Sequence, residues 1–149
     1  MEILIGADNK ILKEKAQPIL KINHSIRTLA KEMIALMRQN NGVGLAAPQV
    51  GQPWRLIVCQ LKEKGKPQVF INPEIIFRSS EKEKTQEGCL SLPGIWLEIE
   101  RPKTIILKAK KLCGFPIKRK YSDLASRIIQ HEVDHLDGIL ITDRFNKDN

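Results

Sequence analysis

The sequence is poor in aromatic residues, with one Tyr, two Trp and four Phe. That argues against an aromatic platform for stacking nucleobases. Cysteine is also scarce, at three residues, and an odd number cannot all pair within the chain. The start, Met1-Glu2-Ile3-Leu4-Ile5-Gly6, lacks the basic region and apolar core of an export signal. Free or metal-bound thiols in a reducing, cytoplasmic setting are therefore expected, not a disulfide framework. The start is not an Arg- and Ser-rich organelle leader either, although an organelle form with its leader removed would read the same. No apolar run approaches the roughly 20 residues of a bilayer span, so no membrane partner is expected. Repeats, low-complexity tracts and linker-like stretches are missing too. The 149 residues are thus read as one domain, 1–149, long enough to bury its own core.

Positive charge is abundant. The formal net charge is +8, a balance that favours polyanions such as nucleic acid. A lysine-rich solvated surface is the plainer explanation, because the basic residues are scattered. Lys108, Lys110, Lys111, Lys118, Arg119 and Lys120 form the densest group.

Ser25 can cap a helix running to about Gln39, with Ile26, Leu29, Met33, Ile34 and Met37 on one stripe. Asn40-Asn41-Gly42 supplies a stop. Strands are expected at 55–61, 68–77 (broken or bulged at Pro73), 95–100, 104–110 and 115–121, with turns at 62–67 and Gly114. Ser122-Asp123 then opens a second helix that ends before Gly138. Helices flanking a run of strands imply an α+β fold with antiparallel sheets, not a βαβ alternation.

On a helical wheel, Asp123, Ser126, Arg127, Gln130, Asp134 and Asp137 share one arc of the second helix. Apolar residues fill much of the rest, so this helix is expected at the centre of the domain, with the sheets packed around it. His131 and His135 lie one turn apart on nearly the same face. Glu132 falls on the side expected to be buried, where an unpaired charge costs several kcal/mol unless it has a task.

His131-Glu132-Val133-Asp134-His135 has the His-Glu-x-x-His pattern. Two imidazoles at i and i+4 can grip one cation, and the Glu between them can take a proton from metal-bound water. A catalytic site needs a third ligand. Metzincin proteases extend the pattern to a third His, but Ile141 occupies that position here, beyond a matching Gly138. Thermolysin-like proteases use a downstream Glu, and none follows Glu132. His24 is far upstream and reads as a surface or cap residue. A cysteine is the better third ligand. Cys59 lies in an apolar run and suits the core, Cys113 lies in a turn, and Cys89 lies in Glu87-Gly88-Cys89-Leu90-Ser91-Leu92-Pro93-Gly94. Local setting ranks Cys89 first, and Pro93-Gly94 reads as a closing turn.

The segment Gly42-Val43-Gly44-Leu45-Ala46-Ala47-Pro48-Gln49 loosely matches a dinucleotide fingerprint. Its context is wrong, since it follows a helix and Pro48 restrains Ala47 where a phosphate-binding helix should begin.

Together, 42–49, 87–91 and 131–135 resemble the three signature motifs of the peptide deformylases, in order and approximate spacing. The resemblance covers nearly the whole chain, and Leu90-Ser91-Leu92-Pro93 is similar to the type found in Gram-negative bacteria and organelles. It implies removal of the formyl group from the N-terminal formylmethionine of new polypeptides. Cys89, His131 and His135 would then hold the metal. Fe(II) is the usual ion of the family, with nickel, cobalt or zinc as replacements. Glu132 would accept a proton from water, while Gln49 and the backbone N–H of Leu90 would donate to the oxyanion. Val43, Gly44 and Gly88 would pair with the peptide as an added strand, and Ile128 would contribute to the methionine pocket. Two points of departure matter. Many relatives carry Arg at the position of Trp96, so an apolar rim is expected here. Arg101 matches a basic residue usual in the family, and either pairing with Glu87 or a plain surface role would account for it. Many relatives also dock on the ribosome through a basic C-terminal helix. This sequence ends soon after Arg144-Phe145-Asn146-Lys147, so ribosome contact would need another surface. A monomer is expected. The competing readings are a metallopeptidase, and a non-catalytic metal- or RNA-binding module that would leave Gln49 and Glu132 without tasks.

Overall fold

The computed structural model describes residues 1–148. Helix α1 spans His24–Gln39. Its cap is Asn23, not Ser25: the Asn23 side chain accepts the Ile26 N–H at 3.1 Å. The apolar stripe is buried as its spacing predicts, with Ile26, Leu29, Ala30, Met33 and Met37 facing inward. The chain leaves the helix through Asn41, whose φ is +54°.

Strands β1 (Gly44–Ala46), β2 (Leu56–Cys59), β3 (Gln68–Arg78), β6 (Thr104–Lys110) and β7 (Pro116–Ser122) form one antiparallel sheet in the order β1-β2-β3-β6-β7. Between β3 and β6 run β4 (Lys82–Cys89) and β5 (Leu92–Pro102), a separate antiparallel pair. The β3–β6 register shifts between Ile71 and Glu74, at the expected irregularity beside Pro73.

The structure adds to the expected strands and corrects one expected turn. Residues 82–86 form a strand that the sequence does not announce. Lys82-Glu83-Lys84-Thr85-Gln86 is exposed throughout, so no apolar alternation marks it. Pro93-Gly94 lies within β5 instead of ending the segment, and the chain turns earlier, between Cys89 and Leu92.

Helix α2 spans Asp123–Leu136, and α3 spans Ile141–Asp148. Ile128, Ile129, Val133 and Leu136 of α2 pack against Ile105, Leu107, Ala109 and Ile117 of β6 and β7. Just past the end of α2 the chain turns away at Gly138, whose φ is +73°. A Cβ there would fall 2.3 Å from the Lys13 carbonyl oxygen, so only glycine fits this close approach. Gly138 is thus a helix stop, and the neighbouring Ile141 is buried at the start of α3. No described helix is long and apolar enough to cross a membrane.

Candidate metal centre

The fold brings β4 and α2 together. Cys89 ends β4, and His131 and His135 stand one turn apart on α2. The ligating atoms of these three residues lie within 4.8 Å of one another. The two Nε2 atoms are 3.2 Å apart, and Cys89 Sγ is 3.4 Å from His135 Nε2. A tetrahedral ion with metal–N of about 2.0–2.1 Å and metal–S of about 2.3 Å requires edges of roughly 3.3–3.6 Å. Two nitrogen lone pairs and a sulfur converging at this spacing fit a soft or borderline divalent ion. The other cysteines do not reach the cluster. Cys59 is fully buried in the core beside α2, and burial pushes its thiol well up. Cys113 is exposed.

His131 is fixed from behind. Its Nδ1 lies 3.0 Å from Glu87 Oε1, the arrangement that orients a metal-binding imidazole. Glu87 is in turn held by Arg101, through Nε at 2.6 Å and Nη2 at 2.9 Å, and by Arg127 Nη1. Burial pushes the Glu87 carboxyl up, but hydrogen bonds to His131 and Arg101 outweigh it and hold it well below the usual range. Arg101 also reaches Asp134 at 2.8 Å, and Arg144 donates to both Asp134 oxygens. The middle of the polar arc of α2 therefore does not face water, while Asp123 at its start is exposed. Ser126, Arg127, Gln130 and Asp134 are buried and hydrogen-bonded.

Glu132 is 4% exposed, and burial pushes its carboxyl up to about 7. Its Oε1 and the Nδ1 of His135 are the buried side-chain atoms without a partner among the described residues. Leaving a carboxylate oxygen unpaired costs stability unless it serves the chemistry.

Gln49 sits in a short 3-10 turn over 47–50, next to β1. Its Oε1 accepts the Ala46 N–H at 2.9 Å, which fixes the amide's orientation. Nε2 then donates towards Cys89 Sγ at 3.7 Å and Ser91 Oγ at 3.1 Å. A buried amide donor thus points at the three-ligand cluster. Ser91 carries no strong sequence signal of its own. Arg127 and Asp134 carry one, because charges on a largely apolar helix demand partners, but the sequence does not name those partners.

A cleft of about 570 Å³ opens over the cluster. Val43, Gly44, Gln49, Gly88, Cys89, Leu90, Trp96, Ile128, His131 and Glu132 all line it; His135 lies deeper. Trp96 is 67% exposed at the rim, and a Cβ on Gly88 would meet its ring at 2.8 Å. The edges of β1 and β4 flank the cleft, and among the described residues each pairs with only one strand. Such edges carry backbone groups free to take an added strand.

The family model described as polypeptide deformylase matches residues 1–149. A curated peptide deformylase of Dictyoglomus thermophilum is 49% identical over 134 residues, covering 90% of this chain and 86% of its own. A peptide deformylase of Synechococcus elongatus, solved with actinonin, superposes with a TM-score of 0.93 at 38% identity, covering 97% of this chain and 80% of its own. A Met-Ala-Ser-bound peptide deformylase of Acinetobacter baumannii superposes with a TM-score of 0.90 at 34% identity, covering 97% of each.

Proposed function

The chain belongs to the polypeptide deformylase family, and we propose that residues 1–149 act as one catalytic domain that hydrolyses the formyl group from N-terminal formylmethionine. The observation that carries this reading is the convergence on one cleft of Cys89, His131 and His135 with the unpaired Glu132 oxygen and the aimed Gln49 amide. We read α2 as the central element on which both sheets depend for placing these groups.

Cys89, His131 and His135 would hold one divalent ion. Fe(II) is the expected ion in the cell, with zinc, nickel or cobalt able to take its place. Such an ion supplies a Lewis acid and lowers the pKa of water. Glu132, poised near neutrality, accepts the proton of the attacking water and later returns it to the departing amine. Gln49 Nε2 and the Leu90 N–H donate to the oxyanion as it develops. The Gln49 amide cannot flip without losing its bond from Ala46, so this donor is preorganised.

The substrate backbone pairs with Val43 and Gly44 on one edge and Gly88 on the other, while Ile128 walls the methionine pocket. Recognition through main chain tolerates many following residues, as nascent polypeptides require. Trp96 replaces a charged rim with an apolar one. A monomer acting in the cytoplasm suits this chemistry, with the ribosome as a source of substrate.

The test is hydrolysis of formyl-Met-Ala-Ser by protein loaded anaerobically with Fe(II), or with nickel, for wild type and Glu132→Ala. Wild-type turnover, with metal retained and activity lost in the variant, is expected. An active Glu132→Ala protein overturns the mechanism. Cleavage of internal peptide bonds without deformylation would instead favour a metallopeptidase.

A further inference from the structure

Residues 104–122 contain Lys108, Lys110, Lys111, Lys118, Arg119 and Lys120, and no Asp or Glu. This one hairpin therefore carries +6 of the chain's formal +8. Its inward side chains Ile105, Leu107, Ala109 and Ile117 are buried against the core. Alternation places Lys108, Lys110, Lys118 and Lys120 on the opposite, outer face, where all four are exposed. The register sets Lys108 directly opposite Lys118, with Lys120 two residues along the same strand. Like charges facing each other across a strand pair are destabilising. Glu74 stands beside Lys108 on β3, yet none of these lysines forms an ion pair among the described residues. A face that only had to stay solvated could mix signs. This one concentrates one sign on a rigid surface.

We propose that the outer face of the β6–β7 hairpin docks on the phosphate backbone of folded RNA. Flat, repeated ammonium groups suit phosphates, and no aromatic lies between them to stack on bases. A membrane anchor would seat its exposed apolar residues among the lysines, whereas exposed Phe115 lies at the turn and exposed Phe77 lies on the neighbouring β3, with Ile106 between it and Lys120. The choice of RNA over DNA rests on the proposed substrates, new polypeptides, which emerge beside RNA. The geometry leaves the reaction unobstructed. Helix α2 packs on the inner side of this sheet, and no residue of 104–122 lines the cleft.

The experiment measures anisotropy of a labelled RNA hairpin between 50 and 250 mM salt. It compares wild type, Lys108→Gln/Lys118→Gln/Lys120→Gln, and a charge-matched control, Lys10→Gln/Lys15→Gln/Lys21→Gln, whose sites are exposed elsewhere. Wild type should show a steep loss of affinity with salt. The hairpin variant should bind at least about tenfold more weakly at 50 mM salt, with a shallower log–log slope by about 2–3. The control should stay within about twofold of wild type. Melting temperature and hydrolysis of formyl-Met-Ala-Ser report folding and the cleft separately, so failure of the functional reading would not be mistaken for failure of this one. If the triple variant unfolds, Lys118→Gln alone should still weaken binding. Equal losses in both triple variants would overturn the proposal in favour of diffuse charge. Salt-independent or absent binding by wild type would also overturn it. So would equal binding to duplex DNA, or a loss confined to phosphatidylserine vesicles.

Discussion

Gly44 packs against Glu132 so closely that a Cβ on Gly44 would fall 2.3 Å from Oε2 and 2.8 Å from Cδ. Its backbone does not require glycine for a positive φ, so the constraint is the approach itself. Gly44→Ala should therefore fold and bind metal while displacing the carboxylate. Misplacing a reacting group by about 1 Å can cost roughly 10²-fold in rate. The expected result is kcat for formyl-Met-Ala-Ser down by about that factor, with metal content and melting temperature nearly unchanged. Wild-type kcat in Gly44→Ala would mean that Glu132 is not placed by this contact.

Gln49 offers a finer test, because its two ends do different jobs. Oε1 accepts from Ala46, and Nε2 faces the ligand cluster. Gln49→Glu keeps an acceptor for Ala46 and removes the donor. Removing one oxyanion donor typically costs about 10²–10³-fold in kcat. Gln49→Glu and Gln49→Ala should both lose activity on that scale, but only Gln49→Ala also gives up the Ala46 bond and melts lower. Substantial kcat in Gln49→Glu would remove Gln49 from the oxyanion role.

How much of this site was readable in advance depended on the kind of signal. His131, Glu132 and His135 are adjacent in sequence, so helical geometry alone placed them on neighbouring faces. Cys89 is different. Its contact with His135 spans 46 residues and depends on β4, a strand whose exposed Lys-Glu-Lys-Thr-Gln start gives no periodic signal. Residue chemistry could rank it first among the cysteines, but only the antiparallel β4–β5 pairing turns it towards α2. Helix α1 was readable because one apolar stripe buries against one core, although its cap moved by two residues to Asn23. Helix α3 was not, since residues 141–148 hold too few apolar residues to show a helical stripe. The Arg127 and Asp134 contacts were hidden for a third reason. A wheel shows polar residues sharing an arc but not whether that arc meets water or a buried partner.

That buried network ties stability to pH. The folded-state pKa of Glu87 is depressed, so its contribution is fully present above the unfolded value of about 4.3. It is lost as pH falls from there towards the depressed folded value. Wild type should therefore melt progressively lower below about pH 4, and Glu87→Gln should flatten that slope while melting lower at neutral pH. Removing one partner of a buried ion pair typically costs about 3–5 kcal/mol. Metal affinity should also fall, by about 10–100-fold, because His131 loses the carboxylate that orients it. An unchanged acid slope in Glu87→Gln would assign the acid sensitivity to other carboxylates.

The three cysteines should report the site without any activity assay. Cys113 is exposed, Cys59 is fully buried with its thiol pushed well up, and Cys89 lies among the candidate ligands. Alkylation requires the thiolate and access to it. In metal-loaded protein iodoacetamide should label Cys113 alone, since a coordinated Cys89 has its lone pairs engaged and the Cys59 thiol is inaccessible. Stripping the metal with a chelator should add Cys89, which lines the open cleft. Denaturant should be needed to add Cys59. Peptide mass mapping reads the order directly. Cys89 labelled at the same rate with and without metal would break the proposed ligand set, even if the protein proved active. A Cys59 that reacts on metal removal would mean that the core beside α2 opens when the ion leaves.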